Sequence, residues 1–204
     1  MKSPNYCIIT VAEYQSKSLP KNLELCRQLK TYVEDKQTNT LIYFGFLTTG
    51  NFAGALAYFE NYSTLRDFEQ AFEIYQHTSY YQKLFDGGTA SIKSRNFIKY
   101  SPVTYDQDLK VEGRYLVLTR VKTDRTMLNT INKLAPIFSR TAALTYRLGS
   151  IVTGESVRDE ILIVSYSSME QIETAYDLLT DSPVYDDLVN TVTVNSRDII
   201  KLEF

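Results

Sequence analysis

The sequence predicts an α+β fold built from two βαββαβ units in tandem, and three observations carry that prediction. The segment SRNFIKY at residues 94–100 returns as SRDIIKL at 196–202, close to the end of the 204-residue chain. A constant offset of 104 residues aligns Gly45 with Gly149, Thr49 with Thr153, Gly50 with Gly154, Tyr62 with Tyr166, Ala71 with Ala175, Tyr81 with Tyr185 and Leu84 with Leu188. Both copies also carry the same succession of short apolar runs and helical spacings. A self-similarity of this kind defines the folding unit before any single element is considered.

The elements follow in order. Each unit opens on a strand, YCIITVA (6–12) in the first and YLVLTRV (115–121) in the second. The offset there is 109, so the first unit is about five residues longer around Ser16 to Pro20, where a loop tolerates extra length. A helix comes next, with Leu23, Cys26, Leu29 and Val33 matched by Leu128, Ile131, Ala135 and Phe138; spacings of three and four residues mark one buried helical face. Strands two and three are LIYFGFL and ALAYF in the first unit, LTYRLGSIV and ILIVSY in the second. The turns TTGN and VTGE join them, glycine supplying the backbone angle that such turns need. A second helix places Leu65, Phe68, Phe72 and Tyr75 on its apolar face, and Ile172, Ala175 and Leu179 in the other copy. Thr78 and Ser182 suit the N-cap of a further short helix, and Pro183 suits its first position. The last strand of each unit is the SR segment, with Ile98 and Ile200 on matching faces, Lys99 and Lys201 on the opposite ones, and Arg95 and Arg197 anchoring its start. The offset is 102 by then, which puts two extra residues of the first unit in a loop at Asp86-Gly87-Gly88.

This order is the ferredoxin-like arrangement, four antiparallel strands with both helices on one face. Runs such as ILIVSY, YLVLT and LIYFGFL are apolar on both sides, so both faces of each sheet are expected to be buried. Two units in one chain meet that need by packing sheet against sheet with the helices outside. Residues 1–100 form the first repeat and 114–204 the second. The polar stretch 101–113, containing Pro102, spans roughly 40 Å when extended and serves as linker.

The 22 basic and 24 acidic residues lie in no long run of one sign, which excludes the basic stripe of a nucleic-acid binder. No run approaches a membrane span, and MKSPNYCIITV is too short in apolar residues for a signal-peptide core. Cys7 and Cys26 have no metal-ligand spacing and read as small buried hydrophobes, so the chain is expected to be cytoplasmic, with no nucleic-acid or membrane partner.

Two βαββαβ units packed sheet to sheet resemble the dimeric α+β barrel superfamily, here as an internal pseudo-dimer. The segment S-P-x-Y-x-x-L, at Ser182, Pro183, Tyr185 and Leu188, resembles its antibiotic-biosynthesis-monooxygenase-like branch. That resemblance implies a ligand cleft between helices and sheet, and an activity like that of cofactor-independent oxygenases of aromatic substrates or of haem-degrading enzymes. The haem-degrading pattern implies an Asn on the first strand, a Trp in the second helix and a His after it. This chain has Thr10 and Thr119, Tyr75 and Leu179, and Phe85 and Val189 at those places, and no Trp at all. The expectation is therefore a monooxygenase-like protein without a cofactor or metal, which binds or oxidises a small hydrophobic or aromatic molecule. The alternative is a non-catalytic binding or interaction protein on the same scaffold. Fusion of the halves allows a monomer and leaves higher assembly open.

The residues considered for catalysis are His77, Tyr43 and Arg147. His77 is the one histidine, hence the one imidazole base; it also suits an exposed helix C-terminus. Tyr43 and Arg147 share a repeat position where the copies differ, and could donate to an anionic or carbonyl oxygen; an ion pair across the sheet interface is the other reading of Arg147. Thr10, Tyr75, Thr119 and Arg120 are the candidate ligand contacts, Arg120 being also an ordinary strand-end charge. The 16 tyrosines and 10 phenylalanines suit either an aromatic-ligand cleft or a large core.

Overall fold

The computed structural model describes residues 4–85, 90–107 and 113–203. The first unit comprises β1 (Tyr6–Tyr14), α1 (Leu19–Lys36), β2 (Thr40–Leu47), β3 (Leu56–Tyr62), α2 (Leu65–His77), α3 (Ser79–Phe85) and β4 (Ala90–Tyr100). The second comprises β5 (Tyr115–Lys122), α4 (Leu128–Arg140), β6 (Thr145–Thr153), β7 (Glu160–Tyr166), α5 (Met169–Thr180), α6 (Pro183–Thr191) and β8 (Thr193–Glu203). A 3-10 turn at Ser16–Ser18 takes up extra length of the first unit. The Asp86–Gly88 loop and residues 108–112 of the linker lie outside the described residues.

The strands close into one antiparallel barrel in the order β1-β3-β2-β8-β5-β7-β6-β4. The two four-stranded sheets thus share both edges, through β2 with β8 and β4 with β6. Closure removes every free edge. Gly45 and Gly149, identical in the repeat, sit in these two seams opposite Leu202 and Tyr100. A Cβ on Gly45 would lie 2.2 Å from the Lys201 carbonyl oxygen, so only glycine lets the strands approach this closely. The β2–β3 and β6–β7 turns lean over the same seams. Gly50 and Gly154 have φ of +85° and +109°; the Thr48 amide donates to the Ile199 carbonyl at 2.7 Å, and the Glu155 amide to Asn96 Oδ1 at 2.8 Å.

Three cores result. Ile9, Phe59, Ile98, Leu116, Ile163 and Ile200 fill the barrel interior from both units. The outer faces of the two sheets pack under α1–α3 and under α4–α6. Burial on both sides explains why the strands read as continuous apolar runs. Ile98 and Ile200 point inward while Lys99 and Lys201 are exposed, as the pattern predicts.

The buried faces of α1, α4 and α5 hold the expected residues, with Leu25 joining Cys26, Leu29 and Val33 and Leu23 at the margin. The α2 face is different from expectation. Leu65 and Phe72 are 54 % and 44 % exposed, and the helix turns Asp67, Ala71 and Tyr75 to the protein. Asp67 is held there by a reciprocal capping box with Thr64, and the small Ala71 allows the helix to settle close to the sheet. Thr78 caps α3 through its side chain, whereas Ser182 precedes α6 without a side-chain cap.

The linker also departs from a plain spacer. Gln107 donates to the Tyr146 carbonyl at 2.8 Å and accepts from the Tyr146 amide at 3.0 Å, and Tyr105 packs its ring on Tyr146. Cys7 and Cys26 are buried free thiols.

Candidate functional site

Each unit leaves a cleft between its helices and the outer face of its sheet. In the first, strand alternation directs Thr10 of β1, Tyr58 and Glu60 of β3 and Arg95 of β4 toward the helices, Thr10 pairing with both Tyr58 and Arg95. α2 contributes Tyr75, and α3 closes the space with Tyr81 and Leu84. The cavity is about 40 Å³.

Glu60 dominates its electrostatics. It is 2 % exposed; Tyr62 donates to Oε1 at 3.1 Å, and Arg95 Nη2 lies 3.3 Å from Oε2. Burial raises its pKa above the usual carboxylate range, and Arg95 only partly opposes that. Burial and the nearby Glu60 charge push the Tyr58 and Tyr75 hydroxyls well above the ordinary phenol range. The hydroxyl oxygens of Thr10, Tyr58 and Tyr75 are all buried without an aligned hydrogen-bond partner. Three such groups beside one buried carboxyl can receive a polar ligand and exchange a proton with it.

The second cleft, about 50 Å³, is apolar where the first is polar. Val164, Leu162 and Leu179 stand at the repeat positions of Glu60, Tyr58 and Tyr75. Arg197 therefore meets no acid. It donates through Nε to Thr119 Oγ1 at 3.3 Å and through Nη2 to the Tyr185 hydroxyl at 2.9 Å, and it lies over the rings of Tyr176 and Tyr185. Arg95 and Arg197 were expected to anchor the start of the last strand in a common way. Instead both line the clefts, one paired to a carboxylate and the other held by aromatic rings and hydroxyls.

The other predicted residues divide. Thr10 and Tyr75 share the first cleft, and Thr119 lines the second. Arg120 sits at one end of the barrel, 3.8 Å from Asp159 and donating to the Glu155 carbonyl. Tyr43 and Arg147 lie inside the barrel at the opposite end, with Cys7, Asn61 and Tyr100. Tyr100 donates to Asn61 Oδ1 at 3.1 Å, and the Arg147 guanidinium stacks 5.6 Å from the Tyr100 ring centre. The ion pair considered for Arg147 does not form among the described residues. His77 is exposed at the end of α2, in an open surface groove with Tyr32, Lys36 and Glu73, and joins neither cleft nor barrel.

The sequence reading missed Glu60. The signal was available: a charged residue in the apolar strand ALAYFENY, with Val164 at the same place in the other copy.

Among the described residues no group of three or more His, Cys, Asp and Glu side chains could hold a metal ion. Neither cleft offers an imidazole to a haem iron, since His77 faces away from both. No helix among the described residues is long and apolar enough to cross a membrane.

The model of a family described as a domain of unknown function, DUF6854, matches residues 4–100 and 113–202. The chain belongs to that family. This DUF6854 protein has no match among curated proteins by sequence. Solved structures share its architecture end to end. A protein provisionally assigned as a monooxygenase from Fusobacterium nucleatum superposes with a TM-score of 0.68 at 10 % identity, over 99 % of this chain and 94 % of that one. A second such protein, from Lactobacillus acidophilus, gives 0.58 at 14 %, over 99 % and 94 %. Chlorite dismutase from Candidatus Nitrospira defluvii, as a variant, gives 0.62 at 11 %, over 100 % and 93 %. The DUF6854 chain is thus a dimeric α+β barrel contained in one polypeptide. At these identities the likeness concerns the fold.

Proposed function

We propose that the first cleft binds a small aromatic molecule bearing hydroxyl or carbonyl oxygens, and that Glu60 moves a proton during its oxidation. The supporting observation is the convergence of the Thr10, Tyr58 and Tyr75 hydroxyls, buried and without aligned hydrogen bonds, on a buried carboxyl whose pKa is raised, with Tyr75 lying in reach of both Glu60 and Tyr58. Buried polar groups that are poorly paired are costly, and a ligand oxygen accepting or donating there relieves that cost. A carboxyl poised above its ordinary range is a better base toward a weakly acidic C–H or O–H than an exposed one. With molecular oxygen as co-substrate, conversion of an activated ring CH₂ to C=O consumes one O₂ and releases one water. Glu60 accepts the first proton, and Tyr58 and Tyr75 hydrogen-bond the ring oxygens. The monooxygenase-like scaffold supports this reading, as does the apolar lining that Leu29, Leu56 and Leu84 provide.

A second reading, ligand binding without chemistry, draws on size. A cavity of about 40 Å³ holds only about three waters, so a ring system enters only if α3 moves outward. α3 packs Leu84 with Tyr80, Tyr81 and Phe85 against the first unit's core, so that movement exchanges these contacts for contacts with the ligand.

The test is a thermal-shift screen of hydroxylated polycyclic aromatics, quinones, flavins and haem, followed by oxygen-uptake measurement on every stabilising compound. Stabilisation with oxygen uptake that Glu60→Gln abolishes supports the monooxygenase reading. Stabilisation without uptake selects the binding protein, and no response from any aromatic rejects both.

A further inference from the structure

The barrel interior holds a polar site that the helix–sheet clefts do not explain. Arg147 projects from β6 into the barrel and is 6 % exposed; its guanidinium interacts with the Tyr100 side chain, yet it forms no ion pair among the described residues, and its Nε is enclosed without a partner. A buried cation is ordinarily matched by an anion. Here the groups that act on it are the side chains of Tyr43, Tyr100 and Cys7, all neutral acids. Burial pushes the Cys7 thiol up to about 12 and raises both phenols, so none of them supplies the missing charge near neutral pH. Tyr43 occupies the twofold-related position on β2, which leaves one cation rather than two at this end of the barrel. Tyr43 and Tyr100 are intermediate in exposure as whole residues and close this end of the barrel. The Tyr100 hydroxyl is engaged with Asn61, which orients it beside the guanidinium.

We propose that this end of the barrel is a binding site for a small carboxylate, held by the Nε and Nη donors of Arg147 and by the Tyr43 hydroxyl. The planar fork of a guanidinium matches the two oxygens of a carboxylate, which a spherical halide cannot bridge. The site lies between the two units, since β6 supplies the cation while β1, β2, β3 and β4 supply its neighbours. It is therefore distinct from either cleft.

The experiment compares melting temperatures in sodium formate and sodium chloride at equal ionic strength, for the full-length wild type, Arg147→Met and Tyr43→Phe. The wild type should gain stability with the logarithm of formate concentration beyond what chloride gives. Arg147→Met should show no difference between the salts. Tyr43→Phe, which keeps the cation and loses one hydroxyl, should bind formate roughly fivefold more weakly. Broadening of the ¹³C-formate resonance by wild type but not by Arg147→Lys gives a readout that survives poor folding of the methionine variant. Equal responses to formate and chloride in the wild type overturn the proposal, as does a formate response that persists unchanged in Arg147→Met.

Discussion

Gly45 offers the sharpest test of the barrel. An added methyl at this position would lie 2.2 Å from the Lys201 carbonyl oxygen, 2.7 Å from Leu202 Cα and 2.8 Å from the Lys201 carbonyl carbon. All three are backbone atoms, so no rotamer change relieves the contact. β8 must retreat from β2 by about 1 Å to reach ordinary contact distance. That seam has four residue pairs, Phe44 with Glu203 through Leu47 with Ile200, and Gly45 lies inside it. Overpacking costs about 1–3 kcal/mol and each ladder hydrogen bond lost adds about 1 kcal/mol, so Gly45→Ala should lose about 3–5 kcal/mol. Gly149 is the internal comparison. Its nearest neighbour is the Ile98 Cγ2 methyl at 2.5 Å, a side chain that can turn, with the Lys99 carbonyl oxygen at 3.0 Å. Gly149→Ala should cost about 1–3 kcal/mol. Gly54→Ala controls for backbone conformation, because its φ is +89° and nothing lies within 4 Å of its Cβ position; it should cost about 1 kcal/mol. Urea denaturation with a shared m-value measures all three. A Gly45→Ala loss under about 1 kcal/mol, or one smaller than that of Gly149→Ala, would refute the reasoning about the seam.

Three further outcomes are expected. Folding raises the pKa of Glu60, so the stability that its proton confers is complete below the unfolded value of about 4.3 and is lost as pH rises through the folded value; the Glu60→Gln melting temperature should therefore improve relative to wild type between pH 4 and 8. Arg95→Met strips the partner from a buried carboxylate and should cost about 2 kcal/mol, more than Arg197→Met, and combining it with Glu60→Gln should recover most of the loss in denaturant titrations. Cys7 and Cys26, both pushed up to about 12 by burial, should give no reaction with an aromatic disulfide reagent in the native protein at pH 8, and both should titrate once guanidinium unfolds it.

Most of the architecture was legible because duplication doubles every signal. Ambiguous segments such as LIYFGFL became strands once a second copy occupied the same place, whereas the Gly45–Gly149 identity served only to hold the register, and the close approach of strands at these glycines emerged from the structure. Single-copy periodicity did less well. Leu65, Phe68, Phe72 and Tyr75 satisfy helical spacing, yet the true contact face runs through Ala71, which the repeat preserves as Ala175. Spacing does not distinguish two overlapping stripes on an apolar helix; close packing against a sheet does, and it favours the small residue. The site was half legible. Thr10 and Tyr75 fell in the first cleft, but which strand residues face the helices and which face the barrel depends on register. That one-residue alternation separates Glu60 from Asn61, and hence a cleft from a barrel interior.

The sharing of both sheet edges within one polypeptide has a genetic consequence. In a barrel assembled from two identical chains, every codon change appears twice, so a carboxylate placed in one cleft is imposed on the other. Here a mutation alters one half only. The contacts that hold the seams must satisfy both halves and keep their glycines, while positions in the clefts and in the barrel interior are free to drift apart. Glu60 opposite Val164, and Tyr43 opposite Arg147, are the marks of that independence: one frame maintained by symmetry, with interiors selected separately.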